Sequence, residues 1–391
     1  VKLTGGQIVA KALKANGVDF VAGMPGEGTW ALVDTLLSAG TDIPFIQVIQ
    51  EQSAVHLADG YFRACGRSMA VILPGALGHS KALGGIACAL AGESAMLVIS
   101  GEYSEGNDCR PAVPAWITKE HVRVASIDQL PQALRQSFDT MFSGRVGPVS
   151  LDIPAAVQSA SIEVRLSPST LRATSEVQRV DPQINVVALR EDSASHSSEE
   201  GSGDVLPLKA QRPLAELRSV LEKDAILVAG AGSLQALVKE MFPVYESRSL
   251  CTASPPMSGW AVPAAIGVKL AMPARQVVCA VGDGDFLQSM QEMAVCVMHS
   301  IPVVFVVFNN SGYVSLSDVQ TPLIEQHRAG EFNLPDGKPY SPDFAGIARN
   351  IGLEAWRVEH ASQLNPTFIK ALNSKGPSLV EVITARGSRV N

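Results

Sequence analysis

The chain of 391 residues is poor in charge and in aromatic rings: Asp, Glu, Lys and Arg make up 18 % and Phe, Trp and Tyr 5 %. Scarce charge beside 46 % hydrophobic residues excludes a wholly disordered chain. Basic residues are outnumbered 31 to 38, leaving a formal charge of −7. That balance argues against nucleic acid as a partner, because a binder of phosphate backbones carries a basic patch or stripe. No apolar run approaches the about 18 residues that cross a bilayer. The longest, such as Ile301–Phe308, read as buried strands. Val1–Gly17 mixes Lys and Gln with apolar residues at helical spacing, which is not the pattern of a secretory signal. The six cysteines (Cys65, Cys88, Cys109, Cys251, Cys279, Cys296) form no CxxC pair. Most read as small core residues, and a reducing, cytoplasmic setting fits best. The seven histidines show neither HExxH nor paired-ligand spacing, which argues against zinc. A GxSxG elbow is missing too, which argues against a hydrolase.

What the chain does have is rhythm. Apolar runs fall at Val18–Ala22, Phe45–Val48, Met69–Leu73, Ala95–Ser100 and Val149–Ile153, with helical spacing between them. The pattern resumes at Ile226–Ala229, Val277–Val281, Val303–Phe308, Ala355–Val358 and Leu379–Ile383. Buried strands alternating with helices predict an α/β protein of parallel sheets covered on both faces. From Ser159 to Leu206 the composition turns to Ser, Glu and Asp, most strongly in Glu191–Asp204. Such a stretch has little to bury and reads as a solvated linker. Two doubly wound parallel-sheet domains are therefore expected, at 1–158 and 208–391, joined by a polar linker at 159–207.

The most informative segment runs from Val277 to Val314. One apolar strand ends in Gly282-Asp283-Gly284, and after 24 residues a second ends in Asn309-Asn310. Asp283 and Asn310 then stand at the carboxyl ends of two strands, where open parallel sheets bind ligands. Two hard oxygen ligands at one edge suit Mg²⁺, which leaves positions for water and phosphate oxygens. Gly282 and Gly284 allow a close backbone approach, and the helix that follows offers free amides to a phosphate. Taken alone, GDG also reads as a tight turn with an Asp helix cap. The paired pattern with both strands in place is more specific.

This pattern resembles the cofactor motif of thiamine diphosphate enzymes, in their acetolactate synthase-like branch of 2-oxoacid decarboxylases and carboligases. The resemblance implies the thiamine diphosphate-binding fold for both domains, with a pyrimidine-binding domain first and a diphosphate-binding domain second. It implies Mg²⁺ on Asp283, Asn310 and the Gly312 carbonyl. The backbone amides of Gly284 and Asp285 would meet the diphosphate. AGAGSLQ at Ala229–Gln235 resembles a second diphosphate loop, pointing to Gly232 and Ser233. Val262–Leu270 resembles the helix beside the thiazolium ring. In the first half, Gln50-Glu51-Gln52 with His56-Leu57-Ala58-Asp59-Gly60-Tyr61 resembles the pyrimidine-domain motif. Glu51 is then the carboxylate that activates the pyrimidine ring. The cofactor stabilises a carbanion. The implied reaction is decarboxylation of a small 2-oxoacid, followed by protonation of the enamine or its addition to a second carbonyl. Glu51 also fits a plainer role, an acid at a helix N-terminus. A homodimer or homotetramer with interface active sites is implied as well.

The sequence departs from this family in four places. The middle domain, which binds FAD in some relatives, is replaced by the short polar segment, so no FAD is expected. Phosphonopyruvate and sulfopyruvate decarboxylases are relatives of that organisation, and an internal excision is another reading. The usual Gly-Pro-Gly-Ala-Thr-Asn loop is replaced by Ala76-Leu77-Gly78-His79-Ser80-Lys81. His79 and Lys81 there could add proton transfer or an anion contact; an exposed histidine at a helix start is the alternative. The position under the bent cofactor, normally bulky and apolar, falls on Ser258, or on Met257 with a shift of one residue. Glu102–Pro114 also looks shorter than the acetolactate synthase loop. A non-catalytic relative that keeps the fold is a competing reading. A nicotinamide dehydrogenase using Gly230–Gly232 is a third, weakened by Gln235 where its last glycine belongs.

Overall fold

The computed structural model describes residues 1–38, 41–101, 116–163, 171–173, 206–313 and 330–386. The expectations for 102–114 and 191–204 lie outside them. Two compact units divide the chain, Val1–Pro182 and Gln183–Asn391.

In the first unit the elements run β1 (Lys2–Thr4), α1 (Gly5–Ala15), β2 (Val21–Gly23), α2 (Trp30–Leu37), β3 (Phe45–Gln47), α3 (Glu51–Cys65), β4 (Met69–Leu73), α4 (Gly75–Ala91), β5 (Met96–Ser100), β6 (Glu120–Arg123), α5 (Leu130–Phe142), β7 (Val149–Asp152), α6 (Ala155–Ser159) and β8 (Ser161–Glu163). Six strands form one parallel sheet in the order β3-β2-β4-β5-β7-β6. Alternate strand residues face opposite sides. Ala70, Ile72, Leu97, Ile99, Val149 and Leu151 join one core with Ile8 and Leu13 of α1, Leu32 of α2 and Phe138 of α5. Met69, Val71, Leu73, Met96 and Val98 are equally buried but lie outside that cluster, on the side covered by α3 and α4. Both faces are thus covered, which is why these strands read as unbroken apolar runs.

The second unit repeats the arrangement. Its strands are β9 (Ile226–Ala229), β10 (Leu250–Thr252), β11 (Val277–Gly282), β12 (Val304–Asn309), β13 (Glu354–Val358) and β14 (Ser378–Ile383). They form a parallel sheet in the order β10-β9-β11-β12-β14-β13, the same winding as the first. Leu227, Val306 and Val380 pack with Leu214, Val238 and Phe368 from the surrounding helices.

Local chemistry accounts for the element ends. Thr4 opens α1 with a capping box: its hydroxyl accepts from the Gln7 amide at 3.2 Å, and the Gln7 side chain accepts from the Thr4 amide at 2.9 Å. Asp343 caps the helix Phe344–Ile351 by accepting from the Gly346 amide at 2.7 Å.

Several elements differ from expectation. Helix α4 starts at Gly75, directly after Pro74, so the loop expected at 76–81 is its first two turns. The helix expected between β11 and β12 is broken. Asp283–Phe286, a 3-10 turn at Met290–Glu292 and Met293–Met298 take its place, because Ser289 leaves helical dihedrals with φ −145°. The edge strands β6 and β10 escape a reading by apolar runs, being short and, in β6, alternately exposed. Strand β8 pairs antiparallel with β1, and the Asn16 amide group binds Leu171 O and Ala173 N at 2.9 Å each. These described parts of the expected linker therefore pack on the first unit. All five described cysteines are free, and four are buried. Among the described residues no helix is long and apolar enough to cross a membrane.

Candidate active site

In the second sheet β9 and β11 are neighbours although β10 comes between them in sequence. The winding reverses there, and such a switch point opens a crevice at the carboxyl ends of the strands. Residues 230–233 enter it from β9, and 282–285 from β11. Gly232 has φ 93°, a conformation other residues rarely adopt, and hands the chain directly to the helix Ser233–Met241. The first amides of that helix lack intrahelical partners. A cavity of about 430 Å³ opens at this edge, lined by Gly232, Ser233, Ser258, Gly284, Asn310 and Gly312 among others. Asp285 lines it too; half-buried Met257 does not.

Asp285 spans the crevice. Its carboxylate accepts from the Ala231 amide at 2.8 Å and from the Gly259 amide. Three loops are thereby tied to one buried side chain. A Cβ at Gly230 would collide with that carboxylate, so the glycine is needed for close approach. Burial pushes the Asp285 carboxyl up to about 6 against the pull of the two amides.

Asp283 and Asn310 come together as the strand ends require. The Asp283 carboxylate accepts from Gly284 N at 2.9 Å and Gly312 N at 3.1 Å, and the turn Asn310–Gly312 wraps over it. Burial raises this carboxyl to about 6, although four backbone amides oppose the rise. The Asn310 Oδ1 is buried and has no donor. A buried carboxylate beside a buried acceptor without a hydrogen is a donor set that fits a hard cation. No cluster of three or more His, Cys, Asp or Glu suited to a metal occurs among the described residues. Mg²⁺ does not need one, since one or two carboxylates plus phosphate and water suffice.

The turn is held from outside by groups that sequence reading missed. Arg386 donates to Asn310 O at 3.3 Å, Ser311 O at 3.2 Å and Phe332 O at 2.7 Å. It also donates to the Asn333 and Glu331 side chains at 2.9 and 3.2 Å. Glu381, fully buried on β14, accepts from the Asn309 side chain at 2.7 Å and from Ala345 N at 3.1 Å. Tyr313 lines the cavity and meets Phe332 edge-on, with ring centroids 5.2 Å apart. A buried charge such as Glu381 in an otherwise apolar strand (SLVEVI) is the one signal in the sequence that could have drawn attention.

In the first sheet the order reverses between β2 and β4. Glu51 starts α3 and is buried. Its two carboxylate oxygens lie 3.2 and 3.3 Å from Lys81 Nζ. His79 is not exposed at a helix start: it is 4 % exposed. Because α4 begins at Gly75, the ring turns inward onto the end of β5 and the middle of β7. Its Nδ1 lies 3.3 Å from Ser100 Oγ and its Nε2 3.5 Å from Ser150 Oγ. Ser100 donates to Asp152, which meets His121 Nε2 at 2.7 Å.

Burial holds His79 and His56 down to about 4 from the ordinary 6.5. Both are neutral in the fold and must charge on acidification. Their contribution is complete above pH 6.5 and is lost as pH falls toward about 4, up to about 3 kcal/mol each. His121, raised by its hydrogen bond to Asp152, acts in the opposite sense. Its contribution is complete below about 6.5 and is lost as pH rises past its folded value. Asp283 and Asp285, both raised to about 6, act against the two histidines over the same range, so the His79 contribution is read by difference: from pH 6.5 to 4 the wild-type urea midpoint is expected to lose ground relative to that of His79→Gln.

Two doubly wound sheets, each with a switch point and the second with a cavity carrying a cation-type donor pair, define an α/β protein of the kind that takes ligands at its strand ends. Two family models give the particular group. The thiamine pyrophosphate enzyme N-terminal TPP binding domain matches residues 3–120, and the C-terminal TPP binding domain matches 230–382. The chain belongs to the thiamine pyrophosphate enzymes. Among the described residues no third folded unit separates the two domains. The acetolactate synthase isozyme 2 large subunit of Escherichia coli is 22 % identical, covering 97 % of this chain and 95 % of its own. A 3D-(3,5/4)-trihydroxycyclohexane-1,2-dione hydrolase of Lacticaseibacillus casei is 29 % identical over 42 % of this chain and 26 % of its own. The solved thiamine diphosphate-dependent 4-hydroxybenzoylformate decarboxylase of Rhodococcus jostii RHA1 has the same fold, with TM-score 0.82 and 17 % identity over 99 % of this chain and 100 % of its own.

Proposed function

We propose that this chain is a thiamine diphosphate- and Mg²⁺-dependent enzyme that decarboxylates a small 2-oxoacid, then protonates the product-forming carbon or joins it to a second carbonyl. The observation that carries the reading is the donor-free Asn310 Oδ1 beside the buried Asp283 carboxylate at a switch point. Asp283, Asn310 and the Gly312 carbonyl would hold the metal. The amides of Gly284 and Asp285, with Gly232 and Ser233, would hold the diphosphate, and Ser258, preceded by Met257, would lie under the rings. When bound, thiamine diphosphate supplies an electron sink for the pair left behind as CO₂ departs. Glu51 would hold a proton at the pyrimidine ring nitrogen, and its burial keeps water from competing for that hydrogen bond. His79, buried behind Ser100 and Ser150, is assigned the positioning of α4 over β5 and β7. The active species is proposed to be a homodimer or homotetramer.

The test is a panel of 2-oxoacids, including pyruvate, benzoylformate and pyruvates bearing a 3-phosphono or 3-sulfo group. Each is assayed with and without Mg²⁺ and cofactor, reading CO₂ and organic products. CO₂ release that needs both additions is expected. Tight cofactor binding with no turnover of any member would instead favour a non-catalytic relative.

A further inference from the structure

We propose that Lys81 receives the carboxylate of the 2-oxoacid substrate; this rests on the reading of Glu51 as the acid beside the cofactor. Lys81 lies on α4, one turn after Leu77 and on the same helix face. Its side chain is 62 % exposed, whereas that of Glu51 is 6 % exposed. The ammonium therefore sits at the solvent side of a buried acid, 3.2 and 3.3 Å from its two oxygens. An ammonium has three donors, and one shared approach to a carboxylate leaves others facing outward.

The remaining surface near Glu51 has a matching character. Leu77 is 77 % exposed and Ile49, two residues before Glu51, is 40 % exposed. Gly78, next to Leu77 in the helix, lies close enough to Glu51 that a Cβ there would touch Glu51 Cγ at 3.5 Å and press on the Pro74 ring at 2.7 Å. A cation bordered by exposed apolar side chains suits a small acid with a carboxylate at one end and an apolar group at the other. Glu51 does not bind Lys81 so tightly as to withhold it. An ion pair with one partner this exposed contributes little, about 0–1 kcal/mol. Once Glu51 turns its oxygens to a ring nitrogen, the ammonium is left to a second anion, and a substrate carboxylate provides one.

The experiment compares wild type, Lys81→Met and Lys81→Arg as full-length protein loaded with Mg²⁺ and thiamine diphosphate. The substrate is the 2-oxoacid that wild type decarboxylates best. Lys81→Met is expected to raise KM about 10- to 100-fold with kcat within about threefold, the mark of lost ground-state binding. Lys81→Arg is expected to recover most of the KM. Calorimetric affinity for thiamine diphosphate, read on unloaded protein, is expected to stay within about threefold across the three. An unchanged KM in Lys81→Met would overturn the assignment. So would a cofactor affinity that falls in step with kcat, since Lys81 would then serve Glu51 and not the substrate. If wild type itself decarboxylates no 2-oxoacid, the parent reading has failed, and that is seen before any variant is compared.

Discussion

Glu51→Gln is expected to lower kcat for 2-oxoacid decarboxylation by at least about 100-fold while leaving the fold intact. The reason is local. Glu51 is buried at the first position of α3, at the carboxyl edge of the first sheet. Gln keeps the size and the acceptor oxygen but has no proton to exchange with a ring nitrogen. Its contact with Lys81 also weakens, because an ammonium bonds a carboxylate more strongly than an amide. That loss is small in stability, about 1 kcal/mol or less, since Lys81 is mostly in solvent. Steady-state CO₂ release and the urea midpoint, measured on the same preparations, separate the two effects. Undiminished turnover would remove Glu51 from the mechanism. A collapse of the midpoint would show that the helix start, and not the chemistry, depends on the acid.

The second large effect is expected at the two aspartates of the Gly282–Asp285 turn, which differ in kind. Asp283→Ala removes a proposed metal ligand and frees the Gly284 and Gly312 amides. Asp285→Ala leaves the proposed ligands in place but unties Ala231 and Gly259 from the turn. A group that orients ligands from behind typically costs about 10- to 100-fold in metal affinity or activity. Asp285→Ala is expected in that range for Mg²⁺-dependent cofactor binding, and Asp283→Ala beyond it. Calorimetric titration of thiamine diphosphate at fixed Mg²⁺, and of Mg²⁺ at fixed cofactor, measures both. If Asp283→Ala bound Mg²⁺ as wild type does, the metal site would have to be sought elsewhere.

The strands were legible because burial on both faces makes each one a continuous apolar run. Met69–Leu73 and Ile226–Ala229 coincide with their predicted limits for that reason. The pairing of Asp283 with Asn310 was legible because both close such runs, and parallel neighbours end at one edge. The edge strand Glu120–Arg123 was not, because one of its sides is in water and its apolar signal is diluted. The start of α4 was missed because Gly75, Gly78 and the histidine read as loop. Pro74 and tertiary packing override that local preference.

Alone, then, the sequence determined two wound parallel sheets and the residues that close their strands, since spacing and hydrophobicity are local and survive in a string of letters. Only the tertiary structure decided which side chains brace those closures. Asp285 reaches Gly259 and Ala231 across 26 and 54 residues, and Arg386 reaches Asn310 across 76. It also decided that His79 turns inward while Lys81, two residues on, stands over Glu51. Such contacts depend on where the backbone crosses itself, and no period or motif in one stretch of chain encodes the partner in another.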